Sequence, residues 1–148
     1  MINISRYNLK LVKENGRRYD LDKTIKKPEH AKDIFNQVLN MDCQAEEVFA
    51  IISLDIKNQI TGVFEVSRGN ISGSLVTPRE VFKRAILANS VAIIMGHNHP
   101  SGICSPSSDD IKVTKKLMES GKILGIEVLD HVIVGSNNWL SMKTEGVI

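Results

Sequence analysis

The chain reads as an α/β or α+β sandwich around a mixed sheet. Short apolar runs of strand length recur at residues 48–54, 60–66, 91–95 and 126–134. Segments with helical apolar spacing precede and separate them. Strand and helix signals therefore interleave, as they do where helices cover the faces of a sheet. A length of 148 residues suits one domain with one core.

From the N-terminus, Leu9–Lys13 and Arg17–Leu21 flank Asn15-Gly16, a two-residue hairpin signal. Residues 1–27 are thus expected to form a basic hairpin appendage, with the main domain spanning 28–148. A helix follows from Pro28 to Leu39, because Ala31, Ile34, Phe35, Val38 and Leu39 repeat at helical spacing and Pro28 suits the first turn. Val48–Leu54 is a nearly unbroken apolar run, short enough for a buried strand. The polar stretch Asp55–Gln59 predicts a turn into a second strand over Ile60–Val66. Gly69-Asn70 and Gly73 punctuate the chain before a short strand near 74–76.

Thr77-Pro78-Arg79-Glu80 predicts a helix start, with Thr77 as cap, Pro78 in the first turn and Glu80 completing a capping box. That helix should run to about Ala88 and bury Val81, Phe82, Ala85 and Ile86. Val91–Met95 reads as a buried strand with histidines at its carboxyl end. The Pro-, Ser- and Gly-rich stretch Asn98–Pro106 is a loop, and a long helix runs from Ser107 to about Leu124, stopped by Gly125. Ile126–Val134 is a further strand, Ser136-Asn137-Asn138 a turn, and Trp139–Met142 a last short strand.

Composition excludes several classes. The chain is too short for an eight-stranded α/β barrel, which needs about 250 residues. Metal-dependent hydrolases of that fold, which also carry H-x-H elements, are thereby excluded. No run of about 18 apolar residues occurs, so no membrane span is expected. Met1–Arg6 lacks the basic-then-apolar pattern of a secretory signal, and a cytoplasmic location is expected. Cys43 and Cys104 form no C-x-x-C pair and read as reduced thiols. The net charge of +2 is unevenly spread: residues 1–27 hold eight basic and three acidic groups, a balance of +5. Such a segment is either a solvated surface or a contact for nucleic-acid phosphates. Few aromatics are interleaved for base stacking.

The chemistry concentrates in His97-Asn98-His99, followed by Ser107 and Asp110. Side chains two apart in an extended segment point the same way, so both imidazoles can converge on one ion. Asp110 falls three residues after Ser107, in the first turn of the following helix, where the dipole keeps a carboxylate ionised. Two imidazoles and a carboxylate can hold zinc and leave one position for water, as catalytic zinc sites do. Ser107 has two readings: a helix N-cap, or a hydroxyl that stabilises an oxyanion. Lowering the pKa of bound water makes a nucleophile, and a general base then carries its proton to the leaving group. Glu47, Glu46 and Glu65 are the candidates, and periodicity does not choose among them.

The stretches Thr77–Phe82, His97–Gly102, Pro106–Asp110 and Leu129–Ile133 together closely resemble the RadC family, a branch of the JAMM (JAB/MPN-type) metalloprotease-like domains. The resemblance spans roughly residues 44–148. It implies a three-layer, cytidine-deaminase-like α/β fold and zinc held by His97, His99 and Asp110. It places the family's motif glutamate at Glu47, before the apolar strand, and the motif serine at Ser107. Full-length RadC proteins also carry an N-terminal region resembling helix-hairpin-helix modules, whereas this chain opens with a basic segment and one helix. Cys104 lies in the site loop outside the motif and reads as a small thiol. Asp130-His131 is either a partner for a metal ligand or a satisfied polar pair in the sheet. His30 and Trp139 receive structural readings only.

The leading expectation is a zinc hydrolase acting on peptide or isopeptide bonds of a protein or peptide substrate. A role in DNA repair, acting on or near DNA, is the family-label alternative, supported physically only by the basic N-terminal segment. A non-catalytic metal-binding scaffold is the third reading. A deaminase would need H-x-E followed by P-C-x-x-C, and neither is present.

Overall fold

A computed structural model describes residues 1–69 and 76–148. Among the described residues, five strands form one mixed sheet: β1 (Val48–Leu54), β2 (Ile60–Arg68), β3 (Ala92–Asn98), β4 (Glu127–Val134) and β5 (Trp139–Ser141). Their order across the sheet is β2-β1-β3-β4-β5. Only β3 and β4 run parallel, and the other neighbours are antiparallel. Three helices flank the sheet: α1 (Pro28–Leu39), α2 (Pro78–Leu87) and α3 (Ser108–Leu124). A single 3-10 turn at Met41–Cys43 follows α1.

The central strands β1 and β3 are buried along their whole length, as their unbroken apolar runs require. Alternation then sorts their side chains into two cores. Val48, Ala50, Ile52, Ala92 and Ile94 pack with Ile34 and Phe35 of α1. Phe49, Ile51, Ile93 and Met95 face the other way, against Val81 and Phe82 of α2 and Val113 and Leu117 of α3. The architecture is a three-layer α/β sandwich, with α1 on one face and α2 and α3 on the other. Gly96 belongs to the α1 face, where a methyl group in its place would overlap the Phe35 ring.

Local signals set the helix ends. Ser107 caps α3, and Asp110 completes the box by accepting the Ser107 N–H. Gly125 closes the helix at φ 70°, a left-handed conformation that suits glycine. Thr77 caps α2 by accepting the Glu80 N–H, but the Glu80 carboxylate does not complete the expected box. It meets Lys83 Nζ at 2.7 Å and Arg84 Nη1 at 3.3 Å instead. In the last turn of α2 only Ala85 faces the core, and Ile86 is exposed rather than buried. Val91 precedes β3 and is also exposed. The strand expected near 74–76 lies outside the described residues, apart from Val76, which is a buried bend.

The N-terminal hairpin does not form. Residues 1–19 carry no strand, every residue from 1 to 20 is exposed, and neither Asn15 nor Gly16 takes the positive φ of a tight hairpin turn. A two-stranded ribbon is marginal unless one face of it is buried, and here Ile2, Ile4, Leu9, Leu11 and Val12 are all exposed. Leu21 packs against the core on the α1 side, and main-chain contact with the sandwich follows at Lys23–Ile25: Ile60 N–H donates to Lys23 O at 2.9 Å and Ile25 N–H to Asn58 O at 3.0 Å.

Topology fixes the place of the site. The antiparallel pairing of β1 with β3 sets the start of β1 beside the end of β3, with Phe49 opposite His97. α3 is the crossover between parallel β3 and β4, so its N-terminus also lies at that end.

Candidate metal centre

His97 is the penultimate residue of β3 and is 1 % exposed. His99 follows just beyond the strand, where its N–H still donates to Val134 O at 2.8 Å. Both rings turn to the face carrying the N-terminus of α3. There, His97 Nε2 is 2.9 Å from His99 Nε2 and 3.4 Å from Asp110 Oδ1, and His99 Nε2 is 3.3 Å from Asp110 Oδ2. Two donors bound tetrahedrally at about 2.0–2.1 Å from one ion lie about 3.3 Å apart. The three side chains approach that spacing, the two imidazoles each facing a different Asp110 oxygen, and His97, His99 and Asp110 form a group able to hold a metal ion.

Each member is held from behind. Asp110 Oδ2 accepts the Ser107 N–H at 2.7 Å, so the helix cap fixes the carboxylate. Burial would raise the Asp110 carboxyl, yet hydrogen bonds with His97 and His99 outweigh it and hold the group well below its ordinary value. His99 Nδ1 sits 2.6 Å from Ile103 O. A carbonyl only accepts, so Nδ1 carries the hydrogen and Nε2 is left as the ligating atom of the neutral ring. The hydrogen bond to Asp110 raises the His99 pKa against the opposing effect of burial, with Ile103 O and the Glu47 charge adding to it. His97 Nδ1 meets His131 Nε2 at 2.7 Å, and Phe49 stacks on the His97 ring at 6.3 Å.

A groove of about 470 Å³ opens over the cluster, lined by Glu47, His99, Ile103, Ser107, Asp109 and Asp110 among others. Of the three candidate glutamates, Glu47 alone lines it. Glu65 is bound to Arg68, Oε1 to Nε at 2.7 Å. Glu46 is exposed, and its carbonyl is held by Asn98. Ser107 Oγ accepts the Asp110 N–H at 3.0 Å, which makes it the cap, and the same residue lines the groove. Cys104 is packed with Ile133 and Met142, its Sγ 3.2 Å from Asn138 Oδ1, and burial pushes the thiol pKa up.

Three residues escaped the sequence reading in whole or part. Asn98, between the two histidines, is buried, and its side chain clasps the chain on both sides of Glu47. Oδ1 accepts from Val48 N–H at 2.7 Å, while Nδ2 donates to Glu46 O at 2.9 Å and Gln44 O at 3.3 Å. Thr114, one turn beyond Asp110, contacts both Asp110 O and His131 Nδ1 at 2.6 Å. His131 itself is fully packed, and burial holds its pKa well below the ordinary histidine value. Asp130 turns elsewhere, accepting from Ser141 Oγ at 2.5 Å and Lys143 N–H at 3.1 Å. A polar residue inside a buried strand is the one signal that marks Asn98 in advance.

The model of the RadC-like JAB domain matches residues 25–147. A UPF0758 protein of Desulfitobacterium hafniense is 46 % identical over 143 residues, which cover 95 % of this chain and 63 % of the relative. A UPF0758 protein of Methanosarcina acetivorans is 52 % identical over 105 residues, 71 % of this chain and 46 % of the relative. Another, from Moorella thermoacetica, is 43 % identical over 144 residues, covering 95 % and 62 %. The chain therefore spans less than two thirds of the length of these relatives.

Proposed function

Because the chain belongs to the RadC-like JAB domain family, we propose that it is a JAMM-type zinc hydrolase of peptide or isopeptide bonds. The convergence of His97, His99 and Asp110 at coordination spacing, under a groove that Glu47 lines, carries this reading. Two imidazoles and one carboxylate suit zinc and leave a position open. Bound there, the ion would supply Lewis acidity and a water acidic enough to ionise near neutral pH.

The chain's own groups do the rest. Asp110 favours its ionised form, since hydrogen bonds with His97 and His99 hold its carboxyl low against burial. Glu47 takes the proton of the attacking water and delivers it to the departing amine. Asn98 holds the peptide groups flanking Glu47, which keeps that carboxylate at the groove. Ser107 turns its hydroxyl hydrogen to the oxygen that gains charge as the carbonyl is attacked, while its oxygen continues to cap α3.

Elemental analysis of protein purified without added metal, then peptide and isopeptide cleavage screens, test the reading. Wild type should hold one zinc per chain and cleave. Glu47→Gln should keep the zinc and lose cleavage, and His97→Ala should lose both. Wild type without zinc ends the proposal.

A second reading is contact with DNA, favoured by the exposure of the basic segment 1–20. Binding measured across a salt series should then show a steep slope, and no slope removes it.

A further inference from the structure

We infer that Thr114 and His131 are positioning residues that lock the Nδ1–H tautomer of His97 and so aim its Nε2 lone pair at the ion. The inference deepens the metal-centre reading and rests on it.

The hydrogen count carries the argument. Thr114 Oγ1 lies 2.6 Å from Asp110 O. A carbonyl has no hydrogen to give, so the hydroxyl donates and its single hydrogen is committed. The second contact of Thr114, 2.6 Å to His131 Nδ1, then needs a hydrogen from the ring. His131 must carry its proton on Nδ1. From the opposite end, a ligating His97 offers the lone pair of Nε2, so its proton sits on Nδ1, 2.7 Å from His131 Nε2. That nitrogen must accept. Both ends meet at His131 with Nδ1 protonated and Nε2 bare, one hydrogen per contact and none in conflict. The result is a neutral imidazole, the form that a dry surrounding favours.

The arrangement is closed off from bulk solvent, since His97 and His131 are 1 % exposed and Thr114 is 0 % exposed. Phe49 closes the side, stacked on His97 and edge-on to His131 at 5.5 Å. The count leaves Nε2 of His97 and of His99 bare and facing each other at 2.9 Å beside a carboxylate. Two nitrogens that close share either a proton or a metal cation, and the neutral tautomers leave both lone pairs for the cation. The chain of contacts is also a ring: it starts at the main chain of Asp110, passes through Thr114 and His131, and returns to the cluster at His97.

Two measurements test this. Long-range proton–nitrogen spectra of labelled wild type, metal-free and zinc-loaded, should show both His97 and His131 as Nδ1–H tautomers. Chelator competition with zinc and cobalt should show Thr114→Val weakened about 10–100-fold and Thr114→Ser restored to near wild type. The cobalt visible spectrum should change with Thr114→Val and return with Thr114→Ser. An Nε2–H tautomer at His131, or wild-type affinity in Thr114→Val, overturns the proposal while leaving the metal site intact. Wild type that binds neither ion overturns the metal-centre reading itself. The spectra on wild type need no variant, so they decide even if Thr114→Val fails to fold.

Discussion

His97 and His99 are two residues apart, yet opposite kinds of structure hold them. His97 ends a buried strand, with β1 and β4 on either side and a second histidine behind its ring. His99 opens a loop, keeps 14 % of its side chain exposed, and takes its orientation from one carbonyl of that same loop, Ile103 O. One ligand is fixed by the core and the other by a local turn. The strand half supplies position, and the loop half supplies access, because His99 lines the groove while His97 lies beneath it.

Substitution of each histidine should separate these roles. His97→Ala and His99→Ala should each lower zinc affinity by more than the ~100-fold expected for a residue behind a ligand. Their stabilities should differ. His97→Ala empties a buried ring site and strands His131, costing about 3 kcal/mol, or roughly 6–12 °C in melting temperature. His99→Ala should cost under about 1 kcal/mol, since its ring is partly in water. Equal melting shifts in the metal-free proteins would erase the contrast.

Asn98→Ala probes the strand half without touching a ligand. It leaves the buried Val48 N–H and the partly buried Glu46 O without their partner, at about 1–3 kcal/mol. Chemical denaturation should register that loss, with zinc affinity nearly unchanged and cleavage reduced. Zinc affinity as low as in His97→Ala would show that Asn98 supports the ligands rather than Glu47.

The loop half should carry the pH dependence. The Asp110 hydrogen bond raises the His99 pKa above its ordinary 6.5. Protonated His99 has no lone pair for a metal, so acidification through that raised value opposes binding. Apparent zinc affinity should be level at higher pH and fall about tenfold per unit below it, one proton being displaced. Calorimetric titration between pH 8 and 6 checks this, and a flat profile would count against His99 as a ligand. The smallest effect belongs to Gly102→Ala. Gly102 holds φ 81°, which a side chain resists, so a loss of about 1 kcal/mol is expected with a few-fold change in zinc affinity. No change in either would mean that the loop absorbs the strain without moving His99.

Much of this was legible wherever one short segment carries its own reason. Pro28, Ser107 and Gly125 mark helix ends by local geometry, and the apolar runs of β1 and β3 announce buried strands. His97, His99 and Asp110 were readable because a strand end and a capped helix start impose their spacing. Asn15-Gly16 misled for the complementary reason: its turn signal is local, but a hairpin survives only on a surface that covers it. Ile86 failed likewise, since helical spacing does not say where the neighbouring layer stops. The partnerships of Asn98 with Val48 and of Thr114 with His131 span 50 and 17 residues. No window of sequence holds both ends of such contacts, and only the assembled sheet brings them together.

The seat of Phe35 against Gly96 has a reach beyond packing. Gly96 is the residue before His97, and the ring that occupies its missing side chain comes from α1, in the opposite layer of the sandwich. The ligand strand thus rests on a backstop that never meets substrate. Variants selected for a slackened or retuned metal grip should accordingly turn up in α1, behind the sheet, as well as around the groove.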